Sequence, residues 1–237
     1  MIHPIYPSIQ KDLLSIASKE RSLSMQNFFK NEIHCHGISN PDVQQIGKKY
    51  IAILKKDKFE AVLPLIEQLF QSTYHEEALL ACQLVYAFKK QYTIKHFELF
   101  ESWIKNYVTN WAICDTFCNK VMGEMIFQFP SCTSKIKTWC LSEQLYVRRA
   151  SAVSFIYPAK KKQFINDQFE IALLLLEDQE DLVQKGYGWM LKVLSGVCEQ
   201  EVFDFVQMYK SRMPRTALRY AIEKMDNSKK QLAMQKD

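Results

Sequence analysis

One short stretch of the sequence combines residue types that could support chemistry. Residues 110–118 read NWAICDTFC, so the carboxylate of Asp115 lies among aromatic, aliphatic and thiol side chains. Trp111 precedes Asp115 by four positions, and residues at this spacing share one face of a helix. An indole and a carboxylate would therefore be presented together. The alternative interpretation is structural: Asp115 caps a helix, or it pairs with a neighbouring arginine, as ionised groups inside proteins usually do.

A second candidate is the arginine pair in the segment YVRRASA. Arg148 and Arg149 are adjacent, so on a helix they point about 100° apart. One of them can face a groove while the other faces a neighbouring helix. An arginine here is either a structural residue or a phosphate contact, for which the guanidinium fork is suited.

A third candidate is the segment KGYGWM, residues 185–190. Lys185 lies one helical turn before Trp189, so the two share a face. Gly186 and Gly188 fall inside a helical pattern, where each costs about 1 kcal/mol relative to alanine. Such glycines indicate the close approach of another backbone or of a ligand. The structural alternative is a core tryptophan with small residues making room for it.

Two further features carry a weaker signal. Lys160 and Lys161 belong to a run of three lysines, which indicates a solvated turn or a phosphate contact. Cys114 and Cys118 are one helical turn apart, but no second pair of ligands follows them, so we predict no zinc site. The sequence predicts neither a metal nor a cofactor.

The elements that must position these residues are helices. Apolar residues recur at three- and four-residue spacing along the chain, and no alternating strand pattern with a hairpin turn occurs. Only 6 glycines and 7 prolines are present in 237 residues, which disfavours turn-rich strand folds. The fold class is therefore predicted to be all-α. A net charge of +5 permits nucleic-acid binding without requiring it.

Three features of the sequence bear on cellular location. No apolar run approaches the roughly 20 residues that span a bilayer. The N-terminal segment MIHPIYPSIQKDLL lacks the basic start and apolar core of a signal peptide. The 7 cysteines are odd in number and scattered, which is typical of reduced thiols. We therefore predict a cytoplasmic protein.

The helices also show an internal repeat. The segments around 147–150 and 183–186 share a register in which Val147 matches Val183 and Ala150 matches Gly186, 36 residues apart. Helical-pair repeats of HEAT type have periods near 40 residues and stack into a solenoid with a concave face. We predict one domain over 1–237, with an irregular helical cap over 1–54 and a frayed basic tail over 228–237.

The segments NWAICD, YVRRASA and VQKGYGWML, in this order on a helical chain, resemble the bacterial DNA alkylation repair family of AlkD-like DNA glycosylases. FFKNEIHCHGISNP near the N-terminus adds to the resemblance, which covers essentially the whole chain. It implies a HEAT-like solenoid with a concave basic face. It also implies a monomer that removes cationic N3- or N7-alkylated purines from duplex DNA.

The resemblance also implies roles for individual residues. Asp115 corresponds to the catalytic carboxylate. Three residues correspond to substrate-binding positions: Trp111, Trp189 and Arg149. DNA contacts are assigned to four basic residues: Arg148, Lys185, Lys160 and Lys161.

The chain departs from the family pattern at several positions. Phe28 stands where a tyrosine is expected, and Gln44 where a basic residue is usual. Ala112 and Ile113 replace a second tryptophan and another acidic residue. These departures bear on the substrate range and on the affinity for DNA.

Two other functions remain open at this stage. A non-catalytic relative that recognises bent or branched DNA would keep the basic surface without needing Asp115. A HEAT-like scaffold for protein interactions would simply pack the same residues in its core.

Overall fold

The computed structural model describes residues 3–235, and the chain divides into two compact units, Met1–Thr93 and Ile94–Asp237. The described residues form helices and no strand, apart from one isolated bridge between His34 and Tyr74. The all-α prediction is therefore confirmed. The division into units differs from the single domain that the sequence predicts.

The first unit contains the segment predicted as an irregular cap. Its helices are α1 (Tyr6–Ser15), α2 (Lys19–Gln26), α3 (Asn40–Leu54), α4 (Phe59–Gln71) and α5 (His75–Ala87). The segment between α2 and α3 is held by the buried carboxylate of Glu76, which accepts hydrogen bonds from the backbone N–H groups of residues 36–38 at 2.9–3.0 Å. Gly37 is required there, because its φ of +75° suits glycine and a Cβ would lie 2.0 Å from the carbonyl oxygen of Ser18.

The second unit contains all the candidate residues listed above. Its helices are α6 (His96–Tyr107), α7 (Trp111–Phe117), α8 (Gly123–Gln128), α9 (Cys132–Thr138), α10 (Leu145–Val153), α11 (Ile156–Lys160), α12 (Ile165–Leu174), α13 (Asp181–Ser195), α14 (Glu199–Tyr209), α15 (Arg215–Ile222) and α16 (Asn227–Met234). Helix α10 packs against α7 and α13, and α13 packs against α15. Val147 and Val183, matched in the sequence repeat, are both buried.

A π-helical turn follows α7. Residues Cys118–Met122 form this turn, and α8 continues directly from it. Such turns insert one extra residue and rotate the side chains that follow them. Cys118, Val121 and Met122 are all fully buried, so the turn keeps this segment in the core.

The C-terminal segment is ordered as a helix rather than frayed. The side chain of Asp226 caps α16 by accepting a hydrogen bond from the backbone N–H of Lys229 at 2.8 Å. The ammonium group of Lys229 pairs with Glu199 on α14, and Ala233 is buried. The predicted fraying over 228–237 is therefore wrong for residues up to 234, and residues 236 and 237 lie outside the described part of the chain.

The 7 cysteines are reduced, and all except the half-buried Cys35 are buried. Free thiols agree with the reduced cysteines that the sequence predicts. Within residues 3–235, no helix is long and apolar enough to cross a membrane.

Gly188 on α13 lies directly against α15. A Cβ at this position would lie 2.7 Å from the Cβ of Tyr220 and 2.9 Å from the carbonyl oxygen of Ala217. We expect Gly188→Ala to lower the free energy of unfolding by about 1 kcal/mol, because overpacking outweighs the gain in helix propensity. Denaturant unfolding measures the change. Gly196→Ala is the matched control, and an equal loss there would contradict the explanation.

Candidate active site

Helix α7 presents Trp111 and Asp115 one turn apart, as the sequence spacing predicts. The helix begins at Trp111 because Asn110 caps it, and the Asn110 side chain accepts a hydrogen bond from the N–H of Ile113 at 3.0 Å. Ile113, Cys114 and Phe117 form the buried face of α7. The side chains of Trp111 and Asp115 are both only half-buried.

Asp115 forms a bidentate ion pair with Arg149 on α10. The Nε of Arg149 donates to Oδ1 of Asp115 at 2.9 Å, and an Nη donates to Oδ2 at 2.8 Å. The guanidinium side chain is only 6% exposed, whereas the carboxylate side chain keeps 19% of its surface exposed. The structural expectation that Asp115 pairs with an arginine is therefore confirmed, and the carboxylate still reaches solvent.

Arg149 also joins the third segment to this pair. Its other Nη donates to the carbonyl oxygen of Leu182 in the first turn of α13. A Cβ on Gly186, one turn further along α13, would lie 3.2 Å from the Cγ of Arg149. The glycine at 186 thus lets α13 approach the arginine side chain, as the sequence pattern predicts. A single guanidinium connects all three segments.

The electrostatics of the pair follow from its burial. Burial raises the pKa of the Asp115 carboxyl above its ordinary value, and the hydrogen bonds and charge of Arg149 oppose that rise. Burial also disfavours the charged guanidinium, but Asp115 outweighs this effect, so the pKa of Arg149 is raised. The arginine therefore stays charged and favours the ionised form of a half-buried carboxylate.

The resemblance implies that Arg149 contacts substrate. In the structure its guanidinium is buried, and three of its five N–H groups donate to Asp115 and to the carbonyl oxygen of Leu182. A direct contact between Arg149 and substrate stays a prediction.

Arg148 is held by groups of its own unit. Its Nε donates to Asp178 at 2.6 Å, and an Nη donates to the carbonyl oxygens of Ser142 and Glu143 at 2.9 and 3.0 Å. These bonds fix the loops before α10 and α13. They favour a structural role over the predicted DNA contact.

The model of the DNA alkylation repair enzyme family matches residues 9–225. The chain belongs to this family. No curated protein matches the chain. A solved structure described as "Predicted DNA alkylation repair enzyme from Enterococcus faecalis" is 18% identical, with a TM-score of 0.79. The match covers 89% of this chain and 97% of that chain, which confirms the predicted helical-repeat fold.

The remaining predicted residues of this DNA alkylation repair family member lie on two helices, α13 and α11. Trp189 is half-buried on α13, three residues after Gly186. The ammonium group of Lys185 lies 2.7 Å from the carboxylate of Asp181, one turn earlier on α13. This ion pair is exposed and therefore weak, so a DNA phosphate could replace Asp181 as the partner of Lys185. Lys160 and Lys161 are exposed at the end of α11. Their DNA contacts stay predictions.

Sequence reasoning missed the groups that hold the arginines. Asp178 and the Leu182 carbonyl are 30 and 33 residues from their partners, and no motif spacing connects them. Among residues 3–235, no cluster of three or more acidic, histidine or cysteine side chains could hold a metal ion.

Proposed function

We propose that the protein is a DNA glycosylase that hydrolyses the N-glycosidic bond of cationic N3- or N7-alkylated purines in duplex DNA. The observation that carries the proposal is the guanidinium of Arg149, which brings the three motif segments together at one partly exposed carboxylate. The family membership over residues 9–225 supports alkylation repair as the setting. The proposed enzyme acts in the cytoplasm as a monomer, without a metal or cofactor.

The chemistry requires a stabilised sugar cation. An alkylated purine is already cationic, so it departs with little help from an acid, and positive charge develops on the sugar. A carboxylate about 4 Å from that charge stabilises it by roughly 4 kcal/mol at an effective dielectric constant near 20. The paired guanidinium of Arg149 lies behind Asp115, so at about 8 Å it opposes this by roughly 2 kcal/mol. The pair thus leaves a net attraction.

Asp115 has a second role available, which is to orient water. Each carboxylate oxygen accepts one N–H from Arg149, and each keeps a lone pair that can accept another hydrogen bond. The 19% of the side chain that remains exposed gives water access to these positions. Trp111, one turn away, and Trp189 on α13 contribute about 0.5–2 kcal/mol each if their rings face the cation.

The test is the release of free methylated purine from methylated duplex DNA by the wild-type protein, with undamaged duplex as the control. Release of N3- or N7-methylpurine that leaves an abasic site supports the glycosylase. A folded protein that binds the duplex but releases no base contradicts it and favours the non-catalytic relative. The bidentate pairing of Asp115 with Arg149 is the observation consistent with that second function.

Lys160 and Lys161 provide a separate test of DNA binding. Each phosphate contact contributes about 0.9 to the slope of log K against log salt concentration. We expect the double variant Lys160→Gln/Lys161→Gln to lower this slope by about 2. Lys137→Gln is the control, since Lys137 already pairs with Asp167 and Glu170. An unchanged slope in the double variant would remove these lysines from the interface.

A further inference from the structure

We propose that the phenol of Tyr146 is an additional substrate contact, which donates a hydrogen bond to a phosphodiester oxygen beside the damaged nucleotide. The inference rests on the proposed function, because it places DNA at the Asp115–Arg149 pair. Tyr146 belongs to the segment YVRRASA, but the resemblance assigns it no role.

The position of Tyr146 is fixed by its backbone. It lies in the first turn of α10, three residues before Arg149, and residues at this spacing share a helix face. Its carbonyl oxygen accepts a hydrogen bond from the thiol of Cys114 at 3.7 Å. Cys114 directly precedes Asp115 on α7. The first turn of α10 is therefore held against the turn of α7 that carries the carboxylate.

The hydroxyl group of Tyr146 differs from the other polar groups around it. The Tyr187 hydroxyl donates to the carbonyl oxygen of Leu176 at 2.9 Å, and the guanidinium groups of Arg148 and Arg149 donate to carboxylate and carbonyl oxygens. Within residues 3–235, the phenol of Tyr146 has no hydrogen-bond partner, and its side chain is half-buried rather than extended into solvent. A donor held in this way is available to a ligand that approaches Asp115.

The phenol is a donor at neutral pH. Burial, followed by the nearby Cys114, raises the pKa of Tyr146, so the hydroxyl keeps its proton. Its natural partner is therefore an acceptor. Half to two-thirds of the hydrogen bonds between proteins and DNA go to phosphate and sugar oxygens, and tyrosine is among the side chains that make them. Three of the five N–H groups of Arg149 already donate to Asp115 and Leu182.

The decisive variant is Tyr146→Phe, which removes one oxygen and keeps the ring. Tyr157→Phe is the matched control, because Tyr157 is also half-buried, lies on α11 and packs edge-on against Phe127. Two quantities are measured under single-turnover conditions on methylated duplex: the protein concentration for half-maximal rate and the rate at saturation. A third is the Kd for a duplex with a tetrahydrofuran abasic analogue, at several salt concentrations.

We expect Tyr146→Phe to raise the half-saturating concentration and the Kd about tenfold, as for the loss of a hydrogen bond to a charged acceptor. The saturating rate should stay within about twofold of the wild type, because a ground-state contact is lost equally in the transition state. The slope of log Kd against log salt should not change, since no charge is removed. Tyr157→Phe should match the wild type in all three measurements.

Three outcomes overturn the inference: unchanged affinity in Tyr146→Phe, an equal loss in Tyr157→Phe, or a loss confined to the saturating rate. Failure of the proposed function is seen separately. If the wild-type protein releases no base, the glycosylase proposal fails, while the Kd for the abasic-analogue duplex still decides whether Tyr146 contacts DNA. If it releases base and Tyr146→Phe binds normally, only the role of Tyr146 fails.

Discussion

Asp115→Asn is expected to slow the release of methylated purine from duplex DNA by about a thousandfold. The substitution removes roughly 4 kcal/mol of attraction for the developing sugar cation at an effective dielectric constant near 20. It also leaves the guanidinium of Arg149 behind a neutral amide, so the site changes from net attraction to net repulsion. Single-turnover assays with the protein in excess measure the rate, and thermal unfolding checks that the variant is folded.

A double variant separates electrostatics from packing. Asp115→Asn/Arg149→Gln removes both charges, so only the net attraction of roughly 2 kcal/mol is lost. We therefore expect the double variant to be faster than Asp115→Asn alone, by about thirtyfold. If the single variant releases base at the wild-type rate, Asp115 is a structural carboxylate. If the double variant is no faster than the single one, the carboxylate does not act through its charge.

The part of this site that the sequence predicts is the part that lies within single helices. The four-residue spacing of Trp111 and Asp115 was enough to predict that the two side chains share a helix face, because a helix has a fixed period. The glycine at 186 was enough to predict a close approach to α13. The partners of Arg148 and Arg149 were not predictable in this way. Arg148 pairs with Asp178 and Arg149 pairs with Asp115, and each partner lies about 30 residues away in the sequence. Only the packing of α10 between α7 and α13 determines which aspartate each arginine contacts.

The C-terminal segment shows the same limit of prediction from sequence. The basic composition of the last ten residues is typical of a frayed tail, yet α16 forms because Asp226 caps it and Glu199 pairs with Lys229. Of these two contacts the cap is local and could be recognised in the sequence. The ion pair joins residues 30 positions apart and depends on how α14 and α16 pack.

Arg149→Met is expected to lower the free energy of unfolding at pH 7 by about 3 kcal/mol, the lower end of the range for breaking a buried ion pair. The lower end applies because 19% of the Asp115 side chain remains in contact with water. Methionine fills a similar volume, so the loss reports the unpaired carboxylate more than a cavity. Urea unfolding at a series of pH values measures the change.

The pH dependence identifies the carboxylate as the origin of the loss. Burial raises the pKa of Asp115, and Arg149 is the influence that holds it down, so Arg149→Met raises this pKa further. The folded variant then binds more protons than its unfolded chain, between the unfolded pKa near 3.9 and the raised folded pKa. Its stability falls as the pH rises through that interval. The deficit relative to wild type should therefore shrink as the pH is lowered from 7 towards 5. The double variant Arg149→Met/Asp115→Asn lacks the carboxylate, so its loss of stability relative to wild type should not shrink at lower pH. If the loss of stability in Arg149→Met is the same at every pH, the protonation of Asp115 is not its origin.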